Sequence, residues 1–204
     1  MQDQELEVKY YVTNLEKLRR RLQELDAREV QPRIWENNLR FDTPGGELGR
    51  AMQVLRLRYD TEARLTFKGP AESQDGVRLR KEIEFAVSDF RSARVFLEAL
   101  GYQVTMIYEK YRAVYDLDGV SVTLDELPYG DFVEIEGPTT IAIQEVNKQL
   151  GLDWSARIFE SYVFLFERLC TELDLDFRDL IFDNFKGLHL PPETLHVRAA
   201  DLQV

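Results

Sequence analysis

Apolar and charged residues alternate with a period of two along most of the chain. Glu5-Leu6-Glu7-Val8-Lys9-Tyr10 begins the pattern, which predicts a strand with one polar face. Asn38-Leu39-Arg40-Phe41-Asp42 repeats it and runs into Thr43-Pro44-Gly45-Gly46, a turn signal that stops the strand. Val54–Tyr59 and residues 64–68 flank the short loop Asp60-Thr61-Glu62-Ala63, as in a hairpin. Residues 77–85 form another alternating run, and residues 108–115, 120–125 and 132–136 complete a set of about eight strands. Asp118-Gly119 predicts a tight turn between two of these last strands.

Three helical stretches interrupt the strands. Asn14 is placed to cap a helix over residues 15–25, where Leu15, Leu18, Leu22 and Leu25 recur at three- and four-residue spacing. Ser88 or Asp89 can cap a second helix that reaches Leu100 and closes at Gly101. Residues 140–170 predict two helices broken near Gly151-Leu152-Asp153. The second carries a wide apolar stripe through Ile158, Phe159, Tyr162, Val163, Leu165, Phe166 and Leu169. After Cys170 the chain turns acidic and irregular, with Pro191-Pro192. The expected organisation is one domain over residues 1–170 and a C-terminal extension over 171–204.

The polar face decides the architecture. In phase along the strands lie Glu5, Glu7, Lys9, Arg40, Asp42, Arg56, Arg58, Lys68, Arg78, Arg80, Glu82, Glu84, Lys110, Arg112, Asp125, Glu134 and Glu136, nine basic and eight acidic. An ordinary half-buried sheet mixes such ions with Thr, Ser and Gln on its outer face. One reading makes this face a solvated exterior over a common core, because charge on a strand usually means solvent. The other closes the strands into a barrel whose lumen holds the ions. Eight strands is the size at which a barrel encloses one small ligand. Helices with wide apolar stripes need a hydrophobic partner, and the alternate, apolar positions of the strands supply one. Arg outnumbers Lys on this face six to three, and the guanidinium fork suits phosphate oxygens. The expected fold is therefore α+β, a closed eight-stranded antiparallel β-barrel with helices packed on the outside. A lumen so ionic is not stable dry. It makes sense around water, a divalent metal on the carboxylates and a polyanion on the Lys and Arg side chains.

Composition narrows the function from the other side. The 204 residues carry 26 basic and 37 acidic side chains, a net charge of −11, which opposes binding to nucleic acid and anionic membrane. The ionic face is close to neutral, so that negative charge belongs to the exterior and leaves a small metal-bound polyanion allowed inside. Cys170 is alone, which excludes an internal disulfide and suits a reducing, cytoplasmic location. We read Cys170 as an inert core thiol. His189 and His196, both expected in a surface tail, leave little material for Ser–His hydrolysis or zinc chemistry. MQDQELEVKYY has neither the basic nor the apolar region of a signal peptide, and no apolar run approaches the ~18 residues of a membrane span.

Glu5-x-Glu7-x-Lys9 resembles the E-x-E-x-K signature of the CYTH domain, or triphosphate tunnel metalloenzyme, family. The rest of the family pattern follows in order: Arg40-Phe41-Asp42-Thr43-Pro44, Leu55-Arg56-Leu57-Arg58, Thr66-Phe67-Lys68-Gly69-Pro70, Glu82-Ile83-Glu84, Lys110-Tyr111-Arg112, Val122-Thr123-Leu124-Asp125, Phe132-Val133-Glu134-Ile135-Glu136 and Ser161-Tyr162. The resemblance covers residues 3–168. It implies an antiparallel tunnel that binds a linear or nucleoside triphosphate with Mg²⁺ or Mn²⁺. On the matching positions it implies metal ligation by Glu5, Glu7, Glu134 and Glu136. It implies a phosphate clamp of Lys9, Arg56, Arg58, Lys68, Arg80, Lys110 and Arg112. Glu82, Glu84 and Asp125 would orient those cations or reach a second metal. Arg40 joins the substrate-binding set but stands where relatives with a YFDT-like segment have an aromatic, so a tyrosine-assisted step has no hydroxyl there. Class IV adenylate cyclases resemble the same family and carry a His-Phe pair before the first glutamate. Met1 to Gln4 hold no such pair, which favours hydrolysis over cyclisation.

The expected function is metal-dependent hydrolysis of a terminal phosphoryl group from a triphosphate. Metal and basic side chains would neutralise the phosphoryl charge while a bound water attacks in line. Lys9 is the candidate catalytic residue, to position or deprotonate that water if neighbouring cations lower its pKa. A cyclase would use the same clamp, with the ribose 3′-hydroxyl attacking the α-phosphorus to give cyclic AMP and pyrophosphate. A non-catalytic triphosphate-binding module is the third alternative. The expected partner is a small-molecule triphosphate, with neither nucleic acid nor membrane, and a homodimer is the candidate assembly.

Overall fold

The computed structural model describes residues 4–188, 190 and 192–202. Its strands are β1 (Gln4–Val12), β2 (Arg28–Asp42), β3 (Val54–Tyr59), β4 (Ala63–Gln74), β5 (Val77–Val87), β6 (Gln103–Leu117), β7 (Val120–Leu127) and β8 (Gly130–Glu136). They close into an antiparallel barrel in the order β1-β5-β4-β3-β2-β6-β7-β8. The first strand completes the ring. It pairs with β5 (Glu5 opposite Arg80, Glu7 opposite Arg78) and with β8 (Glu7 opposite Glu136, Lys9 opposite Glu134). With a side-chain period of two, closure sends the ionic positions inward and their apolar neighbours outward.

The outward face is covered by helices, as the apolar stripes require. α1 (Leu15–Glu24) and α4 (Thr140–Gln149) bring Leu18, Leu22, Ile143 and Val146 onto Val8, Tyr10, Val122, Val133 and Ile135. α3 (Phe90–Ala99) sets Leu97 with Leu39, Phe41 and Leu57. α5 (Tyr162–Leu173) joins Leu165, Phe166 and Leu169 to Tyr108, Tyr129 and Phe132. Each of these helices begins with a side-chain cap: Asn14, Asp89, Thr139 and Ser161 accept from Lys17, Ser92, Ala142 and Phe164 backbone N–H groups. The sequence misses the short α2 (Glu47–Arg50), which grows inside the predicted turn because the Asp42 carboxylate accepts from the N–H groups of Leu48 and Gly49. It also starts the last helix too early: Ile158 bridges to Lys9 and Phe159 is exposed, both before α5. Asp118 and Gly119, with φ of +56° and +79°, make the tight turn expected of them.

Two regions differ from the alternation. β2 starts ten residues before Asn38, at Arg28, and register shifts between Glu29 and Gln31 and between Gln31 and Ile34 hide the period there. The segment after α5, expected as a packed extension or a tail, is packed: Leu180 and Ala200 have no exposed surface. Leu180 exchanges backbone hydrogen bonds with Ile107 and Glu109 at 2.9 Å, and Ala200 N–H donates to the Tyr11 carbonyl at 2.9 Å. Both contacts lie beside strand stretches that lack a neighbour, since β7 meets β6 only from Tyr111 and β5 meets β1 only as far as Glu7. The C-terminal segment therefore patches the staggered rim. His196 is on the surface, bonded to Glu172 at 2.9 Å, and His189 lies outside the described residues. Cys170 is half-buried at the margin of the α5 cluster rather than in its core. Among the described residues no helix is long and apolar enough to cross a membrane.

Candidate active site

The lumen holds a cavity of about 860 Å³. Every candidate residue read from the sequence lines it except Asp125, which is fully buried behind the cations it holds. Arg112 is bidentate on Asp125 at 2.7 and 2.6 Å, Lys110 donates to it at 3.1 Å, and the Tyr162 hydroxyl donates at 2.9 Å. Asp125 is thereby an anchor for the two cations. Glu134 sits between Lys9 at 3.4 Å and Arg112 at 2.7 Å. Burial would raise its carboxyl, but Lys9, Arg112 and Lys110 hold it far below the usual range.

The other half of the lumen repeats this pairing. Glu84 takes Arg56 at 3.4 Å, Arg58 at 3.0 Å and the Thr66 hydroxyl at 2.7 Å. Lys68 bridges Glu5 at 2.8 Å and Glu82 at 2.9 Å. Arg78 reaches Glu7 at 3.3 Å. Glu82 and Glu84 are thus each paired with lumen cations. Asp42 does not join the network, because its oxygens are spent on the α2 turn. Arg80 has only backbone acceptors, the Gly69 carbonyl at 2.5 Å and the Met52 carbonyl at 3.4 Å. Burial and the neighbouring Arg78 push its guanidinium down to about 10.

Glu5, Glu7 and Glu136 stand apart electrostatically. Glu7 and Glu136 face each other across β1 and β8, and like charges placed so are destabilising. Desolvation raises the carboxyls of Glu5 and Glu7. Glu136, at the end of β8, is pushed up to about 7 by desolvation and by Glu5 and Glu7. Clustered carboxylates that burial and mutual repulsion destabilise are hard oxygen donors that attract Mg²⁺ or Mn²⁺, so the chemistry of this set fits a divalent cation. Among the described residues no three acidic, His or Cys side chains already converge as ligands.

Three lumen residues were given no site role by the sequence reading. Glu36 is fully buried and faces Arg58 at 3.4 Å, Lys110 at 3.6 Å and Arg112 at 3.9 Å. Burial opposes its charge, but Lys110, Arg112 and Arg58 outweigh that and hold its carboxyl at about 2. The Tyr108 hydroxyl accepts from Arg56 at 3.2 Å. Tyr162, in the first turn of α5, lies with its ring centroid 4.0 Å from the Lys9 ammonium. Lys9 also donates to the Glu160 carbonyl at 3.2 Å. Carboxylate, carbonyl and aromatic face thus surround the Lys9 ammonium.

The CYTH domain profile matches residues 3–149, and no curated protein matches the chain. Among solved structures, a Vibrio parahaemolyticus protein described as a candidate adenylate cyclase is 23% identical. It covers 78% of this chain and 94% of its own, with a TM-score of 0.70. A Pyrococcus horikoshii protein is 25% identical over 78% of this chain and 96% of its own, at 0.65. A candidate adenylyl cyclase from Hippeastrum, described as having a dominant triphosphatase activity, is 20% identical over 80% and 95%, at 0.61. These likenesses are likenesses of the barrel. The profile match runs from β1 through α4, over the lumen residues of all eight strands, and the chain belongs to the CYTH domain family.

Proposed function

We propose that the protein is a divalent-metal-dependent phosphohydrolase acting on a linear triphosphate, inorganic or organic, held in the barrel lumen. The observation that carries this reading is the sorting of charge inside one cavity. Glu5, Glu7 and Glu136 cluster with their carboxyls raised by burial and by neighbouring acids, although Lys68 pairs with Glu5 and Arg78 with Glu7, while Lys and Arg side chains line the remainder. Mg²⁺ or Mn²⁺ on Glu5, Glu7 and Glu136, with Glu134 adjoining, would supply Lewis-acid neutralisation of phosphoryl charge.

The side chains do the rest. Arg56, Arg58, Lys68, Lys110 and Arg112 exchange a carboxylate oxygen for a phosphate oxygen. These cations are already withdrawn from bulk water, so the exchange spares much of the desolvation that free cations would suffer. Asp125, Glu36 and Glu84 keep the guanidinium planes fixed meanwhile, which favours a transition state whose charge is spread over several oxygens. Lys9, steadied by Glu160 and Tyr162, adds one more fixed charge.

The test is product analysis with inorganic triphosphate, thiamine triphosphate and ATP under Mg²⁺ and Mn²⁺. Orthophosphate release that EDTA abolishes is expected. Cyclic AMP with pyrophosphate and no orthophosphate would instead establish the cyclase reaction, for which the Vibrio protein is named a candidate. Tight binding of every triphosphate without turnover would leave a binding module.

A further inference from the structure

Seven of the nine lumen cations have a carboxylate within ion-pair distance, and among the described residues Arg40 and Arg80 have none. The two belong to one rim. Arg80 is buried with its guanidinium on the Met52 carbonyl. Arg40 lies two residues before Asp42, the acid on the same strand face. That carboxylate is committed to the backbone N–H groups of Thr43 at 2.7 Å, and of Leu48 and Gly49 at 2.9 Å. Both arginines and the turn residues Gly49, Met52 and Gln53 line the cavity.

Deeper in the lumen an arriving anion meets cations that are already paired, and must displace an acid from each. At the rim it meets two guanidinium groups that no acid holds in a direct ion pair: Arg80 rests on the Gly69 and Met52 carbonyls, with Glu5, Glu7 and Glu82 acting on it only from beyond ion-pair distance. Arg40 also lies directly opposite Arg56 across β2 and β3, so the rim continues the deeper basic track rather than forming a detached patch.

We propose that Arg40 and Arg80 form an anion subsite at the tunnel rim that takes a fourth phosphoryl group, so that the lumen prefers linear polyphosphates of four or more phosphates to triphosphate. This rests on the reading of the lumen as a triphosphate site, and it adds the chain length of the substrate. Guanidinium–phosphate hydrogen bonds are among the stronger polar contacts, and a cation with no direct ion pair has none to break for one.

The experiment is calorimetric titration in EDTA, where metal-dependent turnover is suppressed, at fixed ionic strength, with inorganic triphosphate and inorganic tetraphosphate. Phosphate release from triphosphate under Mg²⁺ is measured alongside. Wild-type protein is expected to bind tetraphosphate about tenfold more tightly than triphosphate. Arg40→Gln should bring that ratio close to one, and Arg40→Lys should restore most of it. Equal affinities in the wild type, or a ratio that Arg40→Gln leaves untouched, would overturn the rim subsite. If triphosphate is bound and hydrolysed without any length preference, the subsite alone falls. If neither ligand binds and no phosphate is released, the reading of the lumen falls with it.

Discussion

Glu36 has no exposed surface and faces three cations at 3.4 to 3.9 Å. Removing one partner of a buried ion cluster costs about 3–5 kcal/mol, because the charges left behind stay out of water. Glu36→Ala should therefore lower Tm by roughly 10 °C in calorimetry, and a variant as stable as the wild type would refute the role given to Glu36. The residue was illegible in the sequence for a definite reason. Alternation exposes an ion only where the register is regular, and the shifts in β2 fall just before Glu36. Arg56 and Arg58 were legible because β3 pairs on both sides without a slip, and Lys68, Lys110 and Arg112 because the alternation holds along their own strands even where a shift adjoins Lys68 and Arg112. Tyr108 and Tyr162 were hidden differently: an aromatic among apolar neighbours reads as core, although each turns its hydroxyl toward a lumen charge.

At the level of elements, β7 and β8 carry a repulsive pair on the wall. Glu126 and Asp131 lie opposite one another, and desolvation together with Glu126 pushes the Asp131 carboxyl up to about 6. An acid raised in the native state from 3.8 favours folding below that pH and loses the contribution as pH climbs through about 6. Asp131→Asn should accordingly stabilise the protein at pH 8, on the order of 1 kcal/mol after solvent screening, and change nothing at pH 3.5. Thermal melts at the two pH values check the sign. The corner between β1 and α1 depends on the far end of the chain, where Asp201 accepts from Thr13 and Asn14 N–H groups and from the Thr13 hydroxyl. Asp201→Ala leaves those donors unsatisfied and should destabilise by about 2 kcal/mol, read as a lower denaturant midpoint with an unchanged slope. The helices were legible because each has its cap and its stripe. The C-terminal segment was not, because strand rims are patched by single backbone contacts at Leu180 and Ala200, which leave no period to find.

For the whole molecule, the net charge of −11 belongs to the outside, while the lumen balances its ions within itself. Mg²⁺ binding only the native lumen should raise stability by about 2.7 kcal/mol at a hundredfold excess over its Kd, whereas NaCl at matched ionic strength should not. Glu136→Gln should melt higher than the wild type without metal, since it relieves a repulsion, and should shift little when Mg²⁺ is added. A full Mg²⁺ shift in that variant would place the cation elsewhere. The closed ring has a further consequence, which concerns time. β1 finds its neighbouring strands in β5 and β8, and β8 ends at Glu136. During synthesis at about 5–20 residues per second, the first strand made must wait on the order of ten seconds for the last. Its Val8, Tyr10 and Val12, fully covered in the finished barrel, spend that interval without their wall. A nascent chain stalled before residue 130 should therefore be a ready client for chaperones that bind apolar strands, and the full-length chain should not.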